Sequence, residues 1–277
     1  MDERDQAEPA GPFAWDAIPQ VKCERWISTD EFDFLQAQQD GYQRLTDPVL
    51  HRRVAFRAQG GPWLIRDQAT GKQSHSLALH WHFAPEIALA EVQGGVRAEL
   101  AGSAAVELLH AAEKDWERKV VRGNMSPCYG ALEPAPMARF HTQISLPTEC
   151  ATLVVTDVAS RRSFTQKSTE QAGCYTYETP EASHCYLFPR TSGVWEWAGW
   201  QSDAEFVYFH LSGSRLAHLT GIGGSFVKWQ DCFVVRHAAP VGHFAWSDRN
   251  GRIEASSEDA KQLQALGAPL EVQASVR

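Results

Sequence analysis

Apolar and polar positions alternate with a period of two along most of this chain, the mark of strands that bury one side. The pattern recurs in QVKCERWIS (20–28), VLHRRVAF (49–56), PWLIRD (62–67), HSLALHWHF (75–83), SAAVELLH (103–110), ARFHTQISL (138–146) and CATLVVT (150–156). It continues in SHCYLF (183–188), EFVYFHLS (205–212), SRLAHL (214–219), DCFVVRH (231–237) and VGHFAW (241–246), with GG, TPEAS, LSGS and DRNG as turns between runs. Helical spacing appears only near the end. There Ser256 and Asp259 resemble a capping box, Leu263 and Leu266 share a face, and Gly267 offers a stop. The pattern predicts an all-β fold, a large antiparallel β-sandwich of stacked sheets with a short C-terminal helix. The most polar stretch, DVASRRSFTQKSTEQA (157–172), reads as a loop between halves of one domain over residues 1–277.

Within this pattern SLALHWHF (76–83) admits two readings. His80 and His82, two apart on a strand, point to one side and could begin a metal site; alternatively Leu77, Leu79, Trp81 and Phe83 fill a core face and the histidines look away from it. A structural zinc needs further ligands, and His51 and His75, the nearest histidines, stand at no recognisable ligand spacing. We therefore read the pair as scaffold, with Trp81 buried and no metal bound.

Composition narrows the partners. The chain has 277 residues, 43% hydrophobic and 22% charged, enough for a sizeable core, and its net charge of −8 argues against nucleic acid. No run of about 18 apolar residues exists to span a membrane. The opening MDERDQAEPAGPFAW is acidic and lacks the apolar segment of a signal peptide. Six cysteines form no Cys-x-x-Cys pair; Cys174 and Cys185, across a turn, are either a hairpin disulfide or two buried thiols. Positive charge gathers in strips: Arg44, Arg52, Arg53 and Arg57; Lys114, Arg118, Lys119 and Arg122; Arg161, Arg162 and Lys167. Such strips either guide an anionic polymer or are solvated faces. GIGGSF (221–226) lacks nucleotide-loop spacing and reads as a glycine-rich turn.

DGYQRLTDPVLHRRVAF and GPWLIRDQATGKQSHSLALHWHFAP, within residues 40–85, resemble the C-terminal β-sandwich region of the heparinase II/III-like polysaccharide lyases. RDQAEPAGPFAW (4–15), MSPCYGALEPAP (125–136) and SGVWEWAGWQSDAEFVYF (192–209) agree in the same order. The resemblance implies β-elimination from a uronic acid polymer lying between an α/α toroid and this sandwich: a base takes the C5 proton, an acid protonates the leaving oxygen, and the carboxylate is neutralised. It assigns a catalytic tyrosine to the toroid, and a catalytic histidine and the metal ligands to segments resembling His-Ala-Asp, Asp-Pro-Gly and His-Asn. None of these segments occurs here, so the sequence is expected to start just downstream of the chemistry, with no cofactor and no metal of its own. The implied partners are an acidic polysaccharide and a toroid domain or subunit; the implied location is the cell envelope or periplasm.

For residues that remain, Tyr42, His51 and Arg52 form the best chemical kit, a potential base and acid with a guanidinium for a carboxylate. Binding of uronate is the more natural role for them, with Arg44 and Arg53 beside them. Trp195, Trp197 and Trp200 either stack on sugar rings or pack in a core. Tyr129 is a further candidate for substrate contact. Two rivals to a sandwich module follow: a small autonomous uronate lyase using Tyr42, His51 and Arg52, and a non-catalytic carbohydrate-binding module with an exposed Trp surface.

Overall fold

A computed structural model describes residues 1–11, 13–156, 162–268 and 270–272. The chain divides into two compact units, Met1–Val158 and Ala159–Arg277, each a sandwich with its own core. The strands of the first are β1 (Glu8–Gly11), β2 (Ala14–Ala17), β3 (Val21–Ser28), β4 (Phe32–Gln39), β5 (Leu50–Ala58), β6 (Trp63–Thr70), β7 (Ser74–His82), β8 (Ala88–Val92), β9 (Gly95–Leu100), β10 (Ser103–Ala112), β11 (Glu117–Met125), β12 (Glu133–Ser145) and β13 (Thr148–Val155). Eight of them pair in the order β3-β4-β5-β6-β13-β10-β9-β8, three in the order β11-β12-β7, and β1 with β2 as a hairpin.

Alternation explains the packing. In β7 the side of Leu77, Leu79 and Trp81 turns inward, joined by Ala138 and Phe140 of β12, and meets Ala69, Val96, Leu108 and Cys150 of the large sheet, with Trp116 beside them. Complete burial of a side chain such as Phe140 contributes about 1.5–3 kcal/mol. Trp81 packs on this cluster only partly buried, a correction to its expected burial: it stands next to the last residue of β7, His82, at the end of the strand.

The second unit holds β14 (Ser163–Ser168), β15 (Ala172–Glu178), β16 (Ala182–Pro189), β17 (Trp195–Trp197), β18 (Trp200–Ser202), β19 (Phe206–Ser212), β20 (Arg215–Ile222), β21 (Phe226–Trp229), β22 (Cys232–Arg236), β23 (His243–Arg249), β24 (Arg252–Ser257) and β25 (Gln264–Ala265). A seven-stranded sheet, β14-β15-β16-β19-β20-β23-β24, closes over a five-stranded one, β17-β18-β21-β22-β25. Trp195, Trp200, Phe209, Leu219, Val227, Phe244 and Trp246 fill the space between. Two glycines are required by close approach: a Cβ on Gly221 would meet the Phe244 ring at 2.1 Å, and one on Gly224, at φ +84°, would meet Ala204 backbone at 2.6 Å. Gly223 and Gly224 make the turn expected in GIGGSF.

Two expectations fail here. Residues 163–168 of the polar stretch are strand β14, paired along β15, and the turn after it is closed by Thr169 Oγ1 accepting from the Gln171 and Ala172 amides; residues 157–161 lie outside the described residues. The C-terminal helix does not form. Ser256 ends in β24, a single 3-10 turn (Ala260–Gln262) follows, and β25 pairs with β22. Short isolated helices are marginal in water. Here the Leu266 amide donates to Val234 O, its carbonyl accepts from Trp246 Nε1, and Leu263 packs on the core, so sheet and core contacts replace helical ones. Cys174 and Cys185 are buried free thiols.

Candidate functional site

The hairpin of β5 and β6 turns at Gly60 and Gly61, and its register sets Arg53 opposite Asp67 and His51 opposite Ala69. On the next strand Cys150 stands opposite Asp67. Arg53, Asp67 and Cys150 thus form one row across three strands, beneath a cavity of about 210 Å³. Its walls also include Tyr42, His51, Leu77, Leu79, His80 and Trp116, with Met1 and Gln6 from the N-terminal segment.

Asp67 is the centre of this arrangement. Its Oδ1 lies 2.7 Å from His51 Nε2, and Arg53 donates to it in bidentate fashion, Nε at 2.7 Å and Nη2 at 3.0 Å. Burial alone would raise the carboxyl pKa, but the His51 bond and the Arg53 charge outweigh it and hold Asp67 ionised. Arg53 retains its Nη1 hydrogens for a ligand, in a side chain 43% exposed. The other His51 nitrogen, Nδ1, is 3.4 Å from Gln39 Nε2, so both ring nitrogens are engaged. Burial raises the Tyr42 pKa, aided by Asp5 and opposed by Arg44. It also pushes the Cys150 thiol well up, so Cys150 is a wall and not a nucleophile.

The N-terminal wall is pinned twice. His75, buried, bridges Asp2 Oδ2 at 2.7 Å and Asp47 Oδ2 at 2.8 Å. Arg44 meets Glu8 at 2.9 Å and donates to the carbonyls of Asp5, Gln6 and Gly41.

The predicted residues separate. Tyr42, His51 and Arg53 come together at the cavity. Arg52 does not: strand alternation puts it on the side of Val54 and Phe56, where it pairs with Glu24 at 3.2 Å. The kit of Tyr42, His51 and Arg52 is therefore not assembled. Nor do Arg44, Arg52, Arg53 and Arg57 form one strip, since Arg44 anchors the N-terminal segment and Arg57 donates to Gly61 O. In the second strip Arg118 turns back to the carbonyls of Trp116 and His110. Of the third, Arg161 lies outside the described residues.

Trp195 is 1% and Trp197 7% exposed, and Trp200 is equally buried, so the indoles belong to the core and offer no face to a sugar. Trp195 Nε1 donates to Ala204 O at 2.7 Å. Tyr129 is 89% exposed at a turn closed by the Ala131 amide on Cys128 O, its ring 6.5 Å from that of Phe13. His80 and His82 are exposed, on the side of β7 away from Leu77 and Leu79. Among the described residues no group of three or more His, Cys, Asp or Glu side chains is placed to hold a metal ion. No helix among them is long and apolar enough to cross a membrane.

Asp67 escaped the sequence reading, yet a signal for it existed. Arg53 and Asp67 lie equally far from Gly60, so folding the hairpin about that glycine brings them together. Nothing in the sequence marks Asp2 and Asp47 as partners of His75, because both come from irregular segments.

Comparison with known proteins agrees with the fold. The family model "Heparinase II/III-like, C-terminal" matches residues 1–184. A crystal structure of heparinase III is similar at a TM-score of 0.51 and 14% identity, over 61% of this chain and 27% of that one. A heparan sulfate lyase from Pedobacter heparinus reaches 0.46 at 13% identity, over 57% of this chain and 26% of its own. The chain thus spans about a quarter of these proteins. No curated protein sequence matches it.

Proposed function

The chain belongs to the heparinase II/III-like family, and from that premise we propose that it is the β-sandwich module by which such a lyase holds an acidic polysaccharide, with elimination performed elsewhere, on an α/α toroid. The supporting observation is the cavity around Asp67. Its 210 Å³ is smaller than a typical drug-sized pocket of about 300–1,000 Å³ and suits a single sugar unit. A guanidinium preset by a bidentate carboxylate offers planar donors to a uronate or sulfate, while Leu77, Leu79 and Trp116 supply the apolar wall.

The same geometry favours binding over cleavage. Proton abstraction from C5 needs a base free to accept, and His51 has both nitrogens engaged. A tyrosine base needs its phenolate made accessible, whereas the surroundings of Tyr42 raise its pKa. Neutralising the carboxylate beside them would fall to Arg53, since Arg52 faces the other way. Calorimetric titration with uronic oligosaccharides is the test: saturable binding that weakens in Arg53→Ala, without growth of unsaturated-uronate absorbance over hours, is expected. Turnover lost in Tyr42→Phe or His51→Ala would overturn the non-catalytic reading, and absence of any binding would overturn the module reading.

A further inference from the structure

The face of the three-stranded sheet turned away from the core carries a charged row that the strips in the sequence do not reveal. Register sets Lys119 of β11 opposite Arg139 of β12, and Arg139 opposite His80 of β7. The three side chains lie side by side at strand spacings of about 5 Å. His82 and His141 flank the row on the same face, one pleat away on either side. His80, His82 and Lys119 are exposed, Arg139 and His141 half-buried.

Little offsets this charge. Glu117 reaches Lys119 at 2.5 Å, and its carboxyl pKa is lowered first by that contact, then by His141 and Arg139. His141 Nε2 meets Ser76 Oγ at 2.9 Å. No hydrogen bond or ion pair to another described residue engages the Arg139 guanidinium. Like charges directly opposite one another destabilise a sheet. Burial lowers the His80 pKa, Arg139 and His82 lower it further and Asp5 opposes them, so the positive charge of the row rests on Lys119 and Arg139. An anion laid across the strands would relieve the repulsion between those two. His80 also lines the cavity, so the row runs directly to its edge.

We propose that Lys119, Arg139 and His80 form a track for an anionic sugar chain, whose carboxylate or sulfate groups lie across β11, β12 and β7 and lead one unit into the cavity. The track rests on the glycan reading above and adds its location and its demand for charge on more than one sugar. Surface charge of this kind responds to salt, because exposed interactions are screened within a Debye length of about 8–10 Å.

The experiment is calorimetry on the full chain with a sulfated uronic oligosaccharide, a carboxylate-only uronic oligosaccharide, a neutral oligosaccharide of equal length, and polyglutamate. In Lys119→Gln/Arg139→Gln, with near-UV circular dichroism unchanged, affinity for the anionic sugars should fall about tenfold or more and its salt dependence should flatten. Saturable wild-type binding unaltered by the double variant but lost in Arg53→Ala overturns the track and leaves the glycan reading standing. Equal affinity for the neutral oligosaccharide also overturns it. Binding of polyglutamate with none for either anionic sugar overturns the glycan reading and the track with it, leaving an acidic peptide as the ligand of the row. No binding of any polyanion overturns both.

Discussion

The two sandwiches follow the same alternation rule and fill their interiors differently. In the second, aromatic rings occupy the core: Trp200 stacks on Phe209 at 4.4 Å and packs on Trp229 at 5.0 Å. In the first, charged and polar groups are buried beside the apolar ones, among them Asp67, His75, Arg66 and Glu107. Close-packed rings leave no room for a ligand. A row of ion-paired side chains needs fixed geometry and satisfied donors, and around Asp67 it borders a cavity instead of closing one. The difference teaches where to look for function: in the sandwich whose packing is incomplete and whose polar groups are already oriented.

Acid should separate the two units most. In the second, burial lowers His184 to about 3 and His218 to about 4, with His210 adding to both shifts. Below the unfolded value of 6.5 the unfolded chain binds protons that these folded residues refuse. Stability is therefore full above pH 6.5 and falls as pH drops toward 4, by on the order of 5 kcal/mol for the pair. The first unit has His110 at about 3, lowered by burial and Arg118, and the exposed His80, lowered by burial, Arg139 and His82. It also has a residue of opposite sign. Burial opposes protonation of His75, but Asp47 and Asp2 outweigh it and raise its pKa, so its contribution is present below 6.5 and lost as pH rises through the folded value. Amide exchange followed from pH 7 to 4 should show the second sandwich losing protection first. Loss in the first before the second would break the comparison.

Core truncation comes next. Trp200→Ala should cost about 3–5 kcal/mol by denaturant unfolding, because it removes a fully buried indole from a rigid stack. A cost near zero would mean that the aromatic core is not as close-packed as described. A smaller loss, about 1–3 kcal/mol, is expected for Asp67→Asn, which keeps the shape but leaves His51 and Arg53 short of their shared acceptor. That variant should also weaken uronate binding, since Arg53 loses the clamp that aims it. Normal affinity with lowered stability would show that Arg53 needs no such support.

How much of this was legible in the sequence depends on range. Alternation in HSLALHWHF and VLHRRVAF is local, and it correctly gives strands, the orientation of His80 and His82, and an all-β fold. FDFLQAQQ of β4 was missed because its glutamines blur the period, although Phe32 and Phe34 are buried. The helix was inferred from Ser256, Asp259, Leu263 and Leu266 because their local spacing suits one; pairing of β25 with β22 comes from 30 residues away in sequence and is invisible locally. The same holds for the site. Tyr42 and His51 were found by chemical type, whereas the companions that matter, Asp67, Cys150 and Arg139, are set by register between strands.

Arg52 offers the smallest effect and the cleanest check of that register. By residue type it equals Arg53, and the sequence placed it with Tyr42 and His51. In β5 it projects from the side of Val54 and Phe56, pairing with Glu24 and lying 3.4 Å from Gln38 Oε1. Its side chain is 40% exposed, so the ion pair is solvent-screened and contributes about 0–1 kcal/mol. Arg52→Gln should therefore change stability by less than about 1 kcal/mol and leave uronate affinity untouched, whereas Arg53→Gln, one residue along, should weaken binding. A slip of one residue in β5 would exchange the two outcomes, because every side chain would change faces. Weak binding in Arg52→Gln with normal binding in Arg53→Gln would place the site on the opposite side of the sheet, away from His51 and Asp67.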